Sequence, residues 1–410
     1  MKKCIVYLGG SITQSANFEY FKKKKIYTIL IDVNLNCYCR KYADQFINCS
    51  QTDTKKIIIK LKKIIFSENL KVIDCFGVAH YSYPALNIIK KTFIKNYKKD
   101  NFLLHKHIQK QKLLDLKITP KYFKLPSKNE FSKNKKIYMN KIFEFAKSNN
   151  FKLFIKPSST HQGVGITEIK NIYDKKVFKK KFYPIILNSY EYCNHLYIEQ
   201  KVDGRLINID IIKNENDQII FLPAIFRDKI TFTDKRKYLS VYQYISNENI
   251  IQNKDLNKLK KIFIEVFPKK KIFATLDCII NNNQLYILEL SPHFHNSKIF
   301  KFLNNNYIID LYFKNKLSKI TQNLNKISNL GGYLYILNNN RASKKIVNVI
   351  KTNSSKIHID DIDISRRKKF FKKHAFVEKK FLIIYFMCKN NNKLRTIENI
   401  LEKNKNNIYK

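Results

Sequence analysis

The chain has 410 residues, of which 44% are hydrophobic. At roughly 150 residues per domain that is material for two or three domains, and it excludes a wholly disordered chain. Eight Gly and eight Pro exclude collagen-like and linker-rich architectures, and the net charge of +47 comes from Lys spread along the whole chain, with Arg supplying eight of the 79 basic residues. Phosphate and base readout favour clustered Arg forks, so the charge reads as compositional drift toward Lys, Asn and Ile, and no specific nucleic-acid partner is expected.

No apolar run approaches the roughly eighteen residues of a membrane span; the longest candidate, Phe381 to Cys388, is of strand length. The opening MKKCIVYLGGSITQS has a basic tip but a short apolar stretch ending at Gly9-Gly10, which reads as a first strand rather than a signal peptide. Eight Cys lie scattered without a CxxC pair, as expected in a reducing compartment, and a cytoplasmic protein is the resulting expectation.

In chain order, strand CIVYLGG, helix Phe18 to Lys25, strand IYTILIDVN, helix Thr54 to Phe66, strand KVIDCFG and helix Ala85 to Ile94 alternate as β-α-β-α-β-α. That order predicts a Rossmann-like lobe over residues 1–98 with a parallel sheet. The row GGSITQS is not GxGxxG, so a dinucleotide fingerprint is not supported. Ser11, Thr13 and Gln14 fit either a helix cap or a holder of a carboxylate or phosphate. A Lys-rich helix, Asp100 to Leu116, stops at Thr119-Pro120, and polar Pro126 to Lys136 reads as an interdomain connection. A helix to about Ser148 leads to strand KLFIKP, the turn-rich SSTHQGVGI and strand TEIKN. HLYIEQKV, RLINIDIIK and QIIFLPAIF read as successive strands, followed by a helix from Leu256 to Phe267. Then comes a hairpin, KIFATLDCII and QLYILEL about an Asn turn, and further short strands and helices fill the last hundred residues.

Three segments carry chemistry. With the hairpin turn centred on Asn283, Asp277 and Glu289 lie opposite one another in an apolar ribbon. Cross-strand Cβ atoms are about 5 Å apart, so two facing acids repel unless a cation lies between them, and oxygen ligands of this kind suit Mg²⁺. The bland alternative is a solvated outer face. Lys156 ends a strand and precedes a loop with Gly163 and Gly165, whose backbone can approach phosphate oxygens; alone, it is a structural turn. Glu199 to Val202 end a strand before Asp203-Gly204, where backbone can bond an adenine edge with Val202 packed on the ring. His80 and His161 have no second signal and read as structural.

The three segments, in this order and at these separations, resemble the ATP-grasp superfamily of carboxylate–amine or thiol ligases, which includes D-alanine–D-alanine ligase, biotin carboxylase and the large chain of carbamoyl-phosphate synthetase. The resemblance is closest over residues 1 to about 300, and KKDNFLLHKHIQKQKLLDLKITPKYF is similar to the superfamily's entry into its central domain. It implies an α/β and α+β chain: a Rossmann-like lobe (1–98), an ATP-grasp domain of two α+β lobes (99–310, the small lobe about 120–200 and the large about 201–310), and an α+β subdomain (311–410) completing the large lobe.

By the same resemblance Lys106 and Lys156 would bind ATP, with His105 the alternative to Lys106. Gly163 and Gly165 would cover the β- and γ-phosphates, Glu199, Gln200 and Val202 would hold adenine, and Asp277, Glu289 and Ser291 would bind Mg²⁺ or Mn²⁺. Arg227 and His293 are the candidates for contact with the transferred phosphate. There are departures: Leu206 stands where the superfamily often has a ribose-binding Glu, and Glu289-Leu290-Ser291-Pro292-His293 replaces E-x-N-P-R. Ser is a weaker ligand than Asn, and His exchanges a permanent charge for one expected to titrate near neutrality. The implied activity joins a small-molecule carboxylate to an amine through an acyl phosphate, releasing ADP and phosphate, with a homodimer as candidate assembly. The rival is a non-catalytic nucleotide- or polyanion-binding protein.

Overall fold

The computed structural model describes residues 1–78, 82–97, 102–103, 105–158, 165–169, 172–227, 242–245, 251–305, 307–314, 330–337, 341–363 and 380–408. Its first sheet is parallel, in the order β3-β2-β1-β4, from β1 (Lys2–Leu8), β2 (Tyr27–Asp32), β3 (Gln45–Asn48) and β4 (Leu70–Gly77). Helices α1 (Ser15–Lys23) and α2 (Thr54–Ser67) connect β1 to β2 and β3 to β4, and α3 (Tyr83–Phe93) follows β4. The central strands are continuous apolar runs, as burial on both faces of a parallel sheet requires. The edge strand β3 was missed from sequence, because four residues of mixed burial carry no periodic signal. Asp32 is spent on its own turn, accepting from Gly10 N at 2.7 Å and Asn34 N at 2.8 Å. Ser11 caps the next turn, accepting from Thr13 N at 3.4 Å.

The central part starts with α4 (Lys106–Asp115) and builds an antiparallel sheet, order β5-β8-β6-β7, from β5 (Tyr122–Lys124), β6 (Leu153–Pro157), β7 (Thr167–Ile169) and β8 (Leu196–Gln200). The stretch expected as an interdomain connection instead holds α5 (Lys128–Lys133): Ser127 accepts from Glu130 N, and Phe131 is fully buried. Burying a Phe is worth about 1.5–3 kcal/mol, enough to pin a polar, Lys-rich stretch to the lobe. Helices α6 (Lys135–Ser148) and α7 (Lys175–Ser189) pack a Phe-rich core beneath this sheet, from Phe143, Phe178 and Phe182. Helix α7 was not expected from the sequence pattern, since Pro184 lies inside it and reads as a breaker.

Gly204, at φ +151°, turns the chain into the third sheet; a Cβ there would meet Ile280 O at 2.3 Å. This sheet contains β9 (Arg205–Lys213), β10 (Ile219–Phe221), β11 (Ile225–Arg227), β12 (Tyr242–Ile245), β13 (Ile272–Asn281), β14 (Gln284–Ser291), β15 (Leu330–Leu337), β16 (Lys356–Asp363) and β17 (Lys380–Cys388). Its order is β14-β13-β9-β11-β12-β15-β17-β16, with β10 also on β9. The run QIIFLPAIF, expected as one strand, is two short ones split around Pro223, which has no N–H to give a ladder. Helix α8 (Asn253–Val266) lies between β12 and β13, α9 (Ser297–Asn304) and α10 (Ile308–Phe313) between β14 and β15, with helices Arg341–Asn353 and Asn391–Ile408 in the last seventy residues. All eight cysteines are free thiols, seven of them buried. Among the described residues no helix is long and apolar enough to cross a membrane.

Candidate active site

The hairpin β13–β14 sets Asp277 opposite Glu289, by a route different from the one expected. Its turn is two residues, Asn282 and Asn283, both at positive φ (47° and 61°), with Asn281 paired to Gln284. Continued without interruption, that register would put Glu289 opposite Leu276. A bulge intervenes: Cys278 pairs with Ile287 and Asp277 with Glu289, leaving Leu288 as the extra residue. One added residue exchanges the faces of a strand, so the bulge aims the carboxylate.

On its other side Asp277 pairs with Asn208 of β9, and two residues along Thr275 lies between Asp210 and Ser291. Since alternate residues share a face, Asn208, Asp277 and Glu289 form one polar row and Asp210, Thr275 and Ser291 the next. Asn208 Nδ2 donates to Asp277 Oδ1, Thr275 Oγ1 donates to Asp210 Oδ1, and Ser291 Oγ lies 3.4 Å from Glu289 Oε1. Arg227, from β11, approaches Asp277 Oδ1 at 3.8 Å. Burial pushes the Asp277 carboxyl up to about 6, with Arg227 opposing the shift and Glu289 adding to it. Asp210, also buried, is raised to about 7 against the bonds from Thr275 and the His295 backbone.

Helix α4 closes the outer edge of this hairpin. Ile287 N donates to Ile118 O at 2.7 Å, and Thr119 Oγ1 donates to Ile287 O at 2.8 Å. Gln109 pairs with Leu290 like a backbone amide, accepting from its N–H and donating to its C=O, both at 2.9 Å. The edge strand is thus covered and the bulge is held. The same helix turns Lys106 onto Glu289 and, one turn later, Lys110 onto Glu199 at 2.5 Å.

Glu199, nearly fully buried on β8, also pairs with Lys156 of β6. Burial works against its charge, but Lys110 and Lys156 together hold its carboxyl below the ordinary range. Lys110 has one acid and a neighbouring Lys156, and burial lowers its ammonium to about 8. The carboxylate of Glu199 therefore faces the two lysines, with Gln200 and Val202 continuing along the passage from β8 to β9, and Gln200 N bonded to Lys121 O. Leu206, two residues before Asn208, shares its face. Gly165 has φ +76°, while Gly163, His161 and His80 lie outside the described residues. His105 occupies the N-cap position of α4, and it is Lys106 that reaches the acid pair.

One expectation needs correcting. His293 does not titrate near neutrality; burial lowers it to about 4, so the ring is neutral and does not replace an arginine charge. His295 is also driven low by burial, and its Nε2 lies 2.5 Å from Gln243 Oε1 and 3.2 Å from the Tyr333 hydroxyl. Sequence reasoning passed over Lys110, Asn208 and Asp210. A signal existed for each: Lys110 follows Lys106 by one helical turn, and the polar residues of LINID alternate within β9.

The donor set suits a hard divalent cation. Two carboxylates face each other across one ladder, and the buried Oδ1 of Asn208 beside them has no hydrogen-bond partner among the described residues. No group of three His, Cys, Asp or Glu that would suit a softer metal occurs among the described residues.

Residues 113–297 match the family model described as D-ala D-ala ligase C-terminus. A D-alanine–D-alanine ligase of Lactococcus lactis subsp. cremoris is 30% identical over 91 residues, which cover 22% of this chain and 24% of that protein. The chain thus aligns with about a quarter of that curated relative's length. An L-amino acid ligase from Bacillus licheniformis superposes with a TM-score of 0.69 at 9% identity, covering 98% of this chain and 97% of that one. A carboxyaminoimidazole ribonucleotide synthase from Aspergillus clavatus, solved with ATP, gives 0.65 at 12% identity over 98% and 99%. At such identities the structural likeness speaks for the fold. The chain thus has the fold of these ligases, and its central segment is similar to the C-terminal part of D-alanine–D-alanine ligases.

Proposed function

We propose that the chain is an ATP-dependent ligase that joins a small-molecule carboxylate to an amine through an acyl phosphate. The observation that carries this reading is the facing pair Asp277 and Glu289, met by Lys106 from α4 and set across from the Lys110–Glu199–Lys156 cluster. A chain with no use for a polyphosphate has no reason to hold two partly buried acids opposite each other on one ladder. The matched relatives and neighbours, named as ligases and a synthase, support the same class.

Phosphoryl transfer is mostly positioning and charge neutralisation, so no protein nucleophile is required. Lys106 and Lys156 each rest on an acid and would exchange that partner for phosphate oxygens when ATP arrives. Asp277, Glu289 and Ser291 would hold Mg²⁺ (or Mn²⁺), which when bound neutralises charge on the phosphates. Arg227 stands beside Asp277 and would meet the phosphate being transferred. Glu199, with Gln200 and Val202, would line the adenine end, its charge fixed by Lys110 and Lys156. In the proposed reaction the substrate carboxylate takes the γ-phosphoryl group and ADP leaves. The amine then displaces phosphate, losing its proton as the amide forms. Neutral His293 beside this site can accept a hydrogen bond there but brings no charge.

The test is calorimetry of MgATP at moderate salt, which suppresses non-specific attraction to a chain of charge +47. Binding by the wild type that is lost in Asp277→Asn/Glu289→Gln is expected, followed by a screen of carboxylate and amine pairs for ADP release. Equal binding by both proteins, or none by either, would sink the reading and favour the non-catalytic alternative.

A further inference from the structure

Two carboxylates leave coordination positions that a further protein oxygen can take. A cation between Asp277 and Glu289 has two carboxylates, and Ser291, the next candidate, offers a hydroxyl that lies 3.4 Å from Glu289 itself. On the opposite side of Asp277 stands Asn208, completely buried, directly paired with it across the β9–β13 ladder. Its amide has two ends. Nδ2 is bonded to Asp277 Oδ1, while Oδ1, an oxygen of the type a hard cation selects, has no hydrogen-bond partner among the described residues. A buried carbonyl oxygen without a partner is costly, so the fold gives something up to keep an amide here. Its neighbours on adjacent strands are Asp277 and Ile225, so the oxygen gains no polar partner on the apolar side of its row.

We propose that Asn208 is a ligand of the cation: a half-turn of its side-chain amide brings Oδ1 to the Asp277 side, where it joins Asp277 and Glu289. This rests on the reading of the site as one for a metal–nucleotide complex. It goes beyond that reading by moving the third oxygen from the strand β14, where Ser291 is a weak donor, to the strand β9. The second ligand-bearing ladder makes the site a row across three strands, β14, β13 and β9.

The test uses Mn²⁺ as the probe, with free Mn²⁺ followed by electron paramagnetic resonance in the presence of saturating ADP. ADP affinity in EDTA is measured in parallel. Asn208→Leu keeps the side chain's shape without its oxygen, and should weaken Mn²⁺ at least tenfold while metal-free ADP affinity stays within twofold. Asn208→Asp separates ligation from simple support of Asp277. A ligand role predicts tighter Mn²⁺ binding, because an oxygen is kept and a charge added; a donor role predicts weaker binding, because the N–H is lost. Mn²⁺ affinity within twofold of wild type in folded Asn208→Leu, or weaker binding by Asn208→Asp, overturns the assignment while the ligase reading stands. Absence of Mn²⁺ binding by the wild type with ADP overturns both.

Discussion

Helix α4 carries two kinds of lysine. Lys106 and Lys110, one turn apart, have side chains exposed by 7% and 1%, each holding an acid from a different sheet: Glu289 on β14 and Glu199 on β8. Lys112, two residues on, is 48% exposed and pairs with the still more exposed Glu265 at 2.6 Å. The residue type is the same and the ion pairs look alike in a list of distances, but the surroundings differ. Water screens the outer pair, and pairs of that kind are worth little. In the cleft, removal of one partner leaves an uncompensated buried charge. The net charge of +47 is therefore a poor guide to function: the lysines that matter are the few that the fold buries against acids.

The comparison can be broken or sharpened in order of expected effect. Asp277→Asn/Glu289→Gln removes the acids proposed to hold the cation and should lower ADP release by about a thousandfold or more, with an unchanged fold by circular dichroism. Retained turnover would separate the hairpin from the chemistry. Next, Lys110→Met leaves Glu199 buried with one cation and should cost about 3–5 kcal/mol, read from the urea midpoint. A midpoint equal to wild type would show that the cluster is not a structural brace.

A smaller effect belongs to His107, where α4 begins, packed against the rings of His105 and His195 and 3.1 Å from Ser158 Oγ. Burial first, then nearby Lys124 and the two histidines, lower its pKa from 6.5 to about 4. The unfolded chain takes up this proton first, so the stability gained from the neutral ring is full above about 6.5 and is lost as pH falls toward 4. His107→Gln should flatten the fall of the thermal midpoint across that window, and a parallel pH profile would refute the assignment. Last, Lys112→Met should leave the urea midpoint unchanged, in contrast to Lys110→Met.

Much of the fold is legible in the sequence where the apolar pattern is long. The parallel strands β1, β2 and β4, and the helix α2, follow from continuous or periodic apolar runs. What was missed is what local pattern cannot carry: the four-residue β3, the Pro-containing α7, and α5 within a polar stretch whose one anchor is Phe131. The site divides similarly. Asp277 and Glu289 stand out as acids in an apolar hairpin, whereas Asn208 and Lys110 look like ordinary surface residues until tertiary packing buries them.

The sequence by itself determined the order of the long apolar strands and periodic helices, the hairpin with its two acids, and the candidates Lys106 and Lys156, because these depend on neighbours within a few residues. The tertiary structure decided the rest. It took the bulge at Leu288, held from outside by Gln109 and Thr119, to turn Glu289 toward Asp277. It took β9 lying beside β13 to bring Asn208 to the acids. Burial, which is a property of the assembled sheets, made His293 neutral and gave Lys110 its unusual environment. Charge and ligand strength depend on what surrounds a side chain, and that is fixed when distant segments meet.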